Sequence, residues 1–150
     1  MIVWLNGTFG AGKTTTAGEL VQLLPDARLF DAEQVGAMLG HVDGLPDLGD
    51  FQHWPPWRHL VVETASQLLD YVGGTLVVTQ SVLVRQYWEE IHGGLLRAGI
   101  AVHHFVLHSD PVTLARRIEN DTPEHISWRL KHLAVYKKAL PWLRESARVV

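Results

Sequence analysis

The segment Gly7-Thr8-Phe9-Gly10-Ala11-Gly12-Lys13-Thr14 matches the pattern G-x-x-x-x-G-K-[ST] at every fixed position. Residues of these types at this spacing can hold a polyphosphate. The glycines let the main chain turn so that successive N–H groups, from Gly7 through Phe9, Gly10, Ala11 and Gly12, converge on anionic oxygens. The Lys13 ammonium reaches the β- and γ-phosphates, and the Thr14 hydroxyl is a hard oxygen ligand for Mg²⁺. Thr15 places a second hydroxyl where it either approaches the α-phosphate or simply opens a helix. The chemistry implied is the binding of ATP, or a close relative, with Mg²⁺ on Gly7 to Thr15.

Such a loop works only between a strand and a helix, and the flanking sequence supplies both. Ile2 to Asn6 is a short apolar run of the kind that forms a buried strand. Lys13 to Leu24 reads as a helix with Ala17, Leu20, Val21 and Leu24 on one face, ended by Pro25-Asp26. The start of that helix adds the positive end of its dipole to the loop.

A second group of residues could act on the bound phosphates. Asp31 follows the strand Arg28 to Phe30, at the carboxyl end where open α/β sheets take their ligands. Its carboxylate could accept a proton from a substrate hydroxyl or orient a water, or it could cap the short helix Glu33 to Leu39. Glu33 suits the first-turn position of that helix better than catalysis. Arg117 precedes the polar break Asn120 to Glu124 and Arg129 follows it. A lid at that break would bring both guanidinium groups over a transferring phosphoryl group; the other reading leaves them, with Arg116, as solvated surface. The stretch Asp50-Phe51-Gln52-His53-Trp54-Pro55-Pro56-Trp57-Arg58 is either a wall against which an acceptor molecule stacks or a helix connection whose aromatics fill the core.

The remaining elements alternate. A helix is expected over Trp57 to Tyr71, a strand over Thr75 to Thr79, a helix over Gln86 to Arg97 and a strand over Ile100 to Leu107. Helices follow over Pro111 to Glu119 and Ile126 to Leu140, then a fifth strand over Arg148 to Val150. This is the pattern of a parallel sheet with helices on both faces, a three-layer α/β fold. The 150 residues make one domain, and so short a last strand suggests that the natural C-terminus lies further on.

Several function classes drop out. There is no guanine-reading N/T-K-x-D, and Asp70-Tyr71-Val72-Gly73 precedes the third strand where a GTPase switch motif would follow it. The third strand runs into Gln80 and Ser81, without the carboxylate that ends it in large ATPases. A net charge of −3 disfavours nucleic acid as partner. There is no cysteine for a disulfide or thiolate site, and His103, His104 and His108 suit a strand better than a metal centre. No run approaches the roughly 18 apolar residues of a membrane span, and no leader is visible, so the expected location is the cytoplasm.

The residues also carry a resemblance. Ile2 to Thr14, Phe30-Asp31, Asp50-Phe51-Gln52 with the following prolines, Trp57 and Arg58, and Val102-His103-His104-Phe105 resemble the tunicamycin resistance protein family. That resemblance implies an ATP-binding protein with a nucleoside-monophosphate-kinase-like P-loop fold of sheet order 2-3-1-4-5. It further implies a link to resistance against a nucleoside antibiotic. Similar antibiotic phosphotransferases use an aspartate after the second strand as base, the position of Asp31 here. The reading at this stage is a kinase acting on a small-molecule hydroxyl, with Lys13, Asp31, Arg117 and Arg129 as the working side chains. The alternative is a nucleotide-dependent module that sequesters its ligand.

Overall fold

The computed structural model describes residues 1–119 and 126–150. The polar break expected at Asn120 to Glu124 and the side chain of Arg129 lie outside the described residues. The elements are β1 (Ile2–Asn6), α1 (Lys13–Leu23), β2 (Ala27–Phe30), α2 (Glu33–Leu39), a 3₁₀ turn (Phe51–His53), α3 (Pro55–Val72) and β3 (Thr75–Thr79). They continue with α4 (Arg85–Arg97), β4 (Val102–Val106), α5 (Pro111–Glu119), α6 (Ile126–Ser146) and β5 (Arg148–Val149).

The strands form one parallel sheet in the order β2-β3-β1-β4-β5, as the resemblance implied. β1 is central. Ile2 lies opposite Leu76 of β3 and Val102 of β4, and all of β1 is buried. Burial on both faces explains why the strand reads as an unbroken apolar run instead of an alternation. Its side chains still divide by parity. Ile2 and Trp4 join the core made with α3 and α4, including Trp57, Val61, Trp88 and Ile91. Val3 and Leu5 face the other way, onto Ala17 of α1 and Val77. A third cluster packs Val106 of β4 against Leu114 of α5 and Tyr136, Ala139 and Leu143 of α6.

Two elements depart from expectation. α6 was expected to end at Leu140 but continues to Ser146, with Pro141 inside it. Proline removes one helical hydrogen bond, yet Leu143 just beyond is fully buried and Trp142 packs on the core, so the extra turn is held by burial. β4 is shorter than expected and less enclosed: β5 pairs only with Phe105 and Val106, and His103 is exposed.

Candidate functional site

The glycine loop joins β1 to α1 at the carboxyl edge of the sheet. Its glycines take left-handed conformations, with φ of 131° at Gly7, 74° at Gly10 and 95° at Gly12. At Gly7 there is a second constraint: a Cβ there would lie 2.6 Å from the main-chain oxygen of Leu107. At Gly12, just before α1, a Cβ would meet nothing within 4 Å, so conformation alone calls for glycine. Thr14 and Thr15 are exposed in the first turn of α1, whose N–H groups have no partner within the helix.

Lys13 folds back over the loop. Its ammonium donates to the carbonyls of Thr8 at 2.9 Å and Gly7 at 3.3 Å, and stands 5.6 Å from the centre of the Phe9 ring. Burial among these groups lowers its pKa to about 8, and the negative charge of Glu33 opposes the shift. Thr8 is fully buried, and its Oγ1 has no hydrogen-bond partner among the described residues. Ala11, the remaining loop residue, packs its methyl against the Val106–Leu143 cluster.

The loop is tied to the end of β3. Ser81 Oγ donates to the carbonyl of Gly7 at 2.5 Å. Asn6, fully buried, accepts at Oδ1 from the N–H of Gly7 at 2.8 Å and from that of Val82 at 3.0 Å. Its Nδ2 donates to the carbonyl of Val82 at 2.9 Å and lies 3.3 Å from Nε2 of His104. Gln80, where a carboxylate would stand in a large ATPase, is buried, and its carbonyl accepts from Trp4 Nε1.

Asp31 is half-buried just after β2. Its Oδ1 accepts from the N–H of Glu33 at 3.0 Å and its Oδ2 from Nε2 of Gln34 at 3.1 Å, so it caps the start of α2. On the other side, Arg117 of α5 donates from Nη1 to the carbonyl of Gly10 at 3.0 Å. Arg116 is exposed beside it. Asp110 caps α5, accepting at one oxygen from the N–H groups of Val112 and Thr113; the Thr113 side chain first, and then these N–H groups, hold its carboxyl below the usual carboxylate range.

The aromatic stretch divides between its two readings. Trp57 is fully buried, donates from Nε1 to the carbonyl of Ala32, and packs against Phe51 with ring centres 5.1 Å apart. Arg58 also turns inward. It pairs with Glu90 at 2.5 Å, donates to the carbonyl of Gln52 and lies over the Tyr87 ring at 4.2 Å. These two are structural. Gln52 instead reaches the site, donating from Nε2 to the carbonyl of Ser81 at 2.9 Å. Gln52 belongs to the stretch read as a candidate acceptor wall; Asn6 and Ser81 are the positions to which the reading of the sequence gave no role. Their partners are main-chain groups far along the chain, and only the particular version of the motif, with Asn6 before Gly7, offered a signal.

His104 is buried against Trp88, ring centres 3.8 Å apart, and His108 meets the hydroxyl of Tyr136 at 2.8 Å. Burial lowers the pKa of His104 to about 4, and the nearby His92 adds to that shift. Among the described residues no group of three or more His, Asp or Glu side chains could hold a metal ion.

No family model and no curated protein matches the chain. Solved structures do. The tunicamycin resistance protein of Deinococcus radiodurans is 28% identical, with 90% of this chain and 81% of that one covered and a TM-score of 0.69. A sugar kinase from Janibacter is 18% identical over 99% of this chain and 82% of its own, at a TM-score of 0.68. The APS kinase of Mycobacterium tuberculosis, solved with AMPPNP and APS, is 17% identical over 89% and 74%, at a TM-score of 0.61. The latter two speak for the fold alone. The chain thus has the fold of P-loop kinases and resembles the tunicamycin resistance protein.

Proposed function

We propose that this protein is an ATP-dependent kinase that moves the γ-phosphoryl group to a hydroxyl of a small molecule. The observation that carries the reading is that a cationic loop (Lys13, with Arg117 on Gly10) after β1 and a half-exposed carboxylate (Asp31) after β2 stand at the same carboxyl edge of the sheet. The loop fits a polyphosphate. Its ammonium has a pKa lowered by burial and donates to the loop carbonyls of Gly7 and Thr8, and a hydroxyl without a hydrogen-bond partner among the described residues, Thr8 Oγ1, is built into it.

In this reading the main chain from Gly7 to Thr15 binds the phosphates, with Phe9, Gly10, Ala11 and Gly12 contributing N–H groups. Lys13 neutralises the β- and γ-phosphates, and the Thr14 hydroxyl is the chain's own ligand for Mg²⁺. When bound, ATP with Mg²⁺ supplies the phosphoryl group and a metal that offsets its charge. Asp31 accepts the proton of the acceptor hydroxyl, and Arg117, with Arg129, stabilises charge on the equatorial oxygens. Gln80, at the end of β3, offers no carboxylate, so a bound Mg²⁺ would depend on Thr14, with water and Asp31 as the other candidate ligands. The resemblance to a tunicamycin resistance protein favours a nucleoside-like antibiotic as acceptor. The need for cellular ATP supports a cytoplasmic location.

Two observations favour a second reading, a nucleotide-dependent module that binds its ligand without phosphorylating it. Asp31 is already engaged as a cap, and β3 lacks an acid. Transfer of labelled γ-phosphate from ATP–Mg²⁺ to tunicamycin, nucleosides, chloramphenicol and aminoglycosides separates the two. Label on one acceptor, lost in Lys13→Ala and Asp31→Asn, establishes the kinase. ATP binding with no labelled acceptor selects the module.

A further inference from the structure

Asn6 and His104 sit on neighbouring strands, and phosphoryl transfer as outlined uses neither. Trp4 is opposite His104 in the β1–β4 register and Asn6 is opposite Val106. Asn6 and His104 therefore project from the same sheet face, one residue pair apart diagonally.

The Asn6 amide is fully used, and every contact is direction-specific. Its oxygen takes two N–H groups, those of Gly7 and Val82. Its nitrogen has two hydrogens: one goes to the carbonyl of Val82, and the other points at His104 Nε2. A flipped amide would set NH₂ against two N–H donors and oxygen against a carbonyl, all in a buried site, where unmade bonds cost most. His104 can fill its place only with a lone pair on Nε2 and its proton on Nδ1, where the carbonyl of Ser146 at the end of α6 stands 3.2 Å away to accept it. The ring itself is braced by Trp88.

We infer that Asn6 and His104 form a positioning pair for the glycine loop: the imidazole fixes the orientation of the Asn6 amide, and that amide fixes the first N–H of the loop and the chain after β3 together. This rests on the loop being the nucleotide site. Neither residue touches the nucleotide. Their effect passes through Gly7, whose N–H is held by Asn6 and whose carbonyl is held by Ser81 and Lys13. Around the imidazole stand Trp4 and Asn6 of β1, Trp88 and His92 of α4 and the Ser146 carbonyl of α6. His92 acts on it as a like charge in acid and favours the neutral ring that the pair needs.

The test compares ATP–Mg²⁺ affinity by calorimetry with thermal unfolding for the wild-type protein, His104→Gln and His104→Phe. Phe keeps an aromatic ring against Trp88 but offers Asn6 no lone pair; Gln restores an acceptor and a donor. Expected are at least tenfold weaker ATP binding for His104→Phe in protein that is still folded at the assay temperature, and recovery to within about threefold of wild type for His104→Gln. ATP binding by folded His104→Phe equal to wild type overturns the pairing while leaving the nucleotide site intact. Failure of the wild-type protein to bind ATP overturns the underlying reading instead. Should His104→Phe not fold, ¹⁵N NMR of the wild-type ring decides: a proton on Nδ1 with Nε2 unprotonated at pH 7 is required, and the opposite tautomer or an imidazolium overturns the proposal.

Discussion

The guanidinium of Arg117 donates to the carbonyl oxygen of Gly10 at 3.0 Å, across a separation of 107 residues in sequence. The first helix after β4 therefore touches the glycine loop itself. A peptide whose carbonyl is drawn outward by Arg117 can leave neighbouring N–H groups facing inward, as an anion nest requires.

If the guanidinium that holds Gly10 also stabilises the transferring charge, as the proposed kinase requires, Arg117→Ala should slow phosphoryl transfer by on the order of tenfold or more and weaken ATP binding by a smaller factor. Arg117→Lys should not restore the rate, since a point charge replaces a planar fork. Steady-state rates with whichever acceptor takes label from γ-phosphate, alongside calorimetric ATP affinity, check both statements. Unchanged rates in both variants would remove Arg117 from the machinery.

Lys13 should take up a proton when ATP binds near pH 8. Its pKa in the folded chain is lowered to about 8 by burial, against 10.5 for the free side chain. Below pH 8 the buried charge weighs against the folded state, and that penalty fades as pH rises toward 10.5. Phosphate beside the ammonium favours its charged form, so at pH 8 binding should draw about half a proton per site from the buffer. Calorimetry in two buffers of different ionisation enthalpy measures this. The uptake should vanish in Lys13→Met, and its absence in the wild-type protein would contradict a lowered Lys13 pKa beside the bound phosphates.

The proposed kinase gives Asp31 a second job beside its contacts at the start of α2, and substitution can separate the two. Asn retains an oxygen for the Glu33 N–H, so Asp31→Asn should unfold at nearly the wild-type temperature while transferring phosphate at least about 100-fold more slowly, in the range of a lost general base. Asp31→Ala should lose the cap as well, at about 1 kcal/mol of stability. An Asp31→Asn variant with wild-type rates would leave the residue a cap only.

Acid should destabilise the fold through His104. Its folded pKa of about 4 lies below the free value of 6.5, because burial disfavours the charged ring. The unfolded chain therefore binds the proton first as pH drops. Stability is full above about pH 6.5 and is lost progressively toward pH 4, by about 3 kcal/mol in all. His92 is shifted the same way by burial and adds to the same slope. Denaturant unfolding between pH 7.5 and 4.5 should show this slope, reduced in His104→Gln. Equal slopes in the two proteins would contradict the neutral buried ring.

The loop could be read in the sequence because its requirements are local: glycine conformations, a lysine and a hydroxyl at fixed spacing, and a strand and helix on either side. Asp31 showed both of its possible uses for the same reason, and the contact made by the cap is with its own next residues. Strand order is a different kind of fact. Periodicity marks strands but does not rank them, and the order came from the resemblance. Arg58 looked like part of an acceptor wall because arginine seldom turns inward; Glu90, 32 residues on, neutralises it there. Pro141 read as a helix end, since the burial of Leu143 that carries α6 past it depends on packing from β4 and α5. Asn6 read as the last residue of a strand, with its partners 76 and 98 residues away.

Gly7 and Gly12 lie at opposite ends of the loop and differ in what surrounds them. The stem at Gly7 is jammed against the Leu107 carbonyl, clasped by Asn6 and hooked by Ser81, so it has no slack. Around Gly12 there is open space. Any give in the loop as it closes on a ligand is therefore left to the stretch from Gly10 to Gly12, which Arg117 holds at the Gly10 carbonyl and Ala11 ties to the Val106–Leu143 cluster, while the stem acts as a fixed abutment.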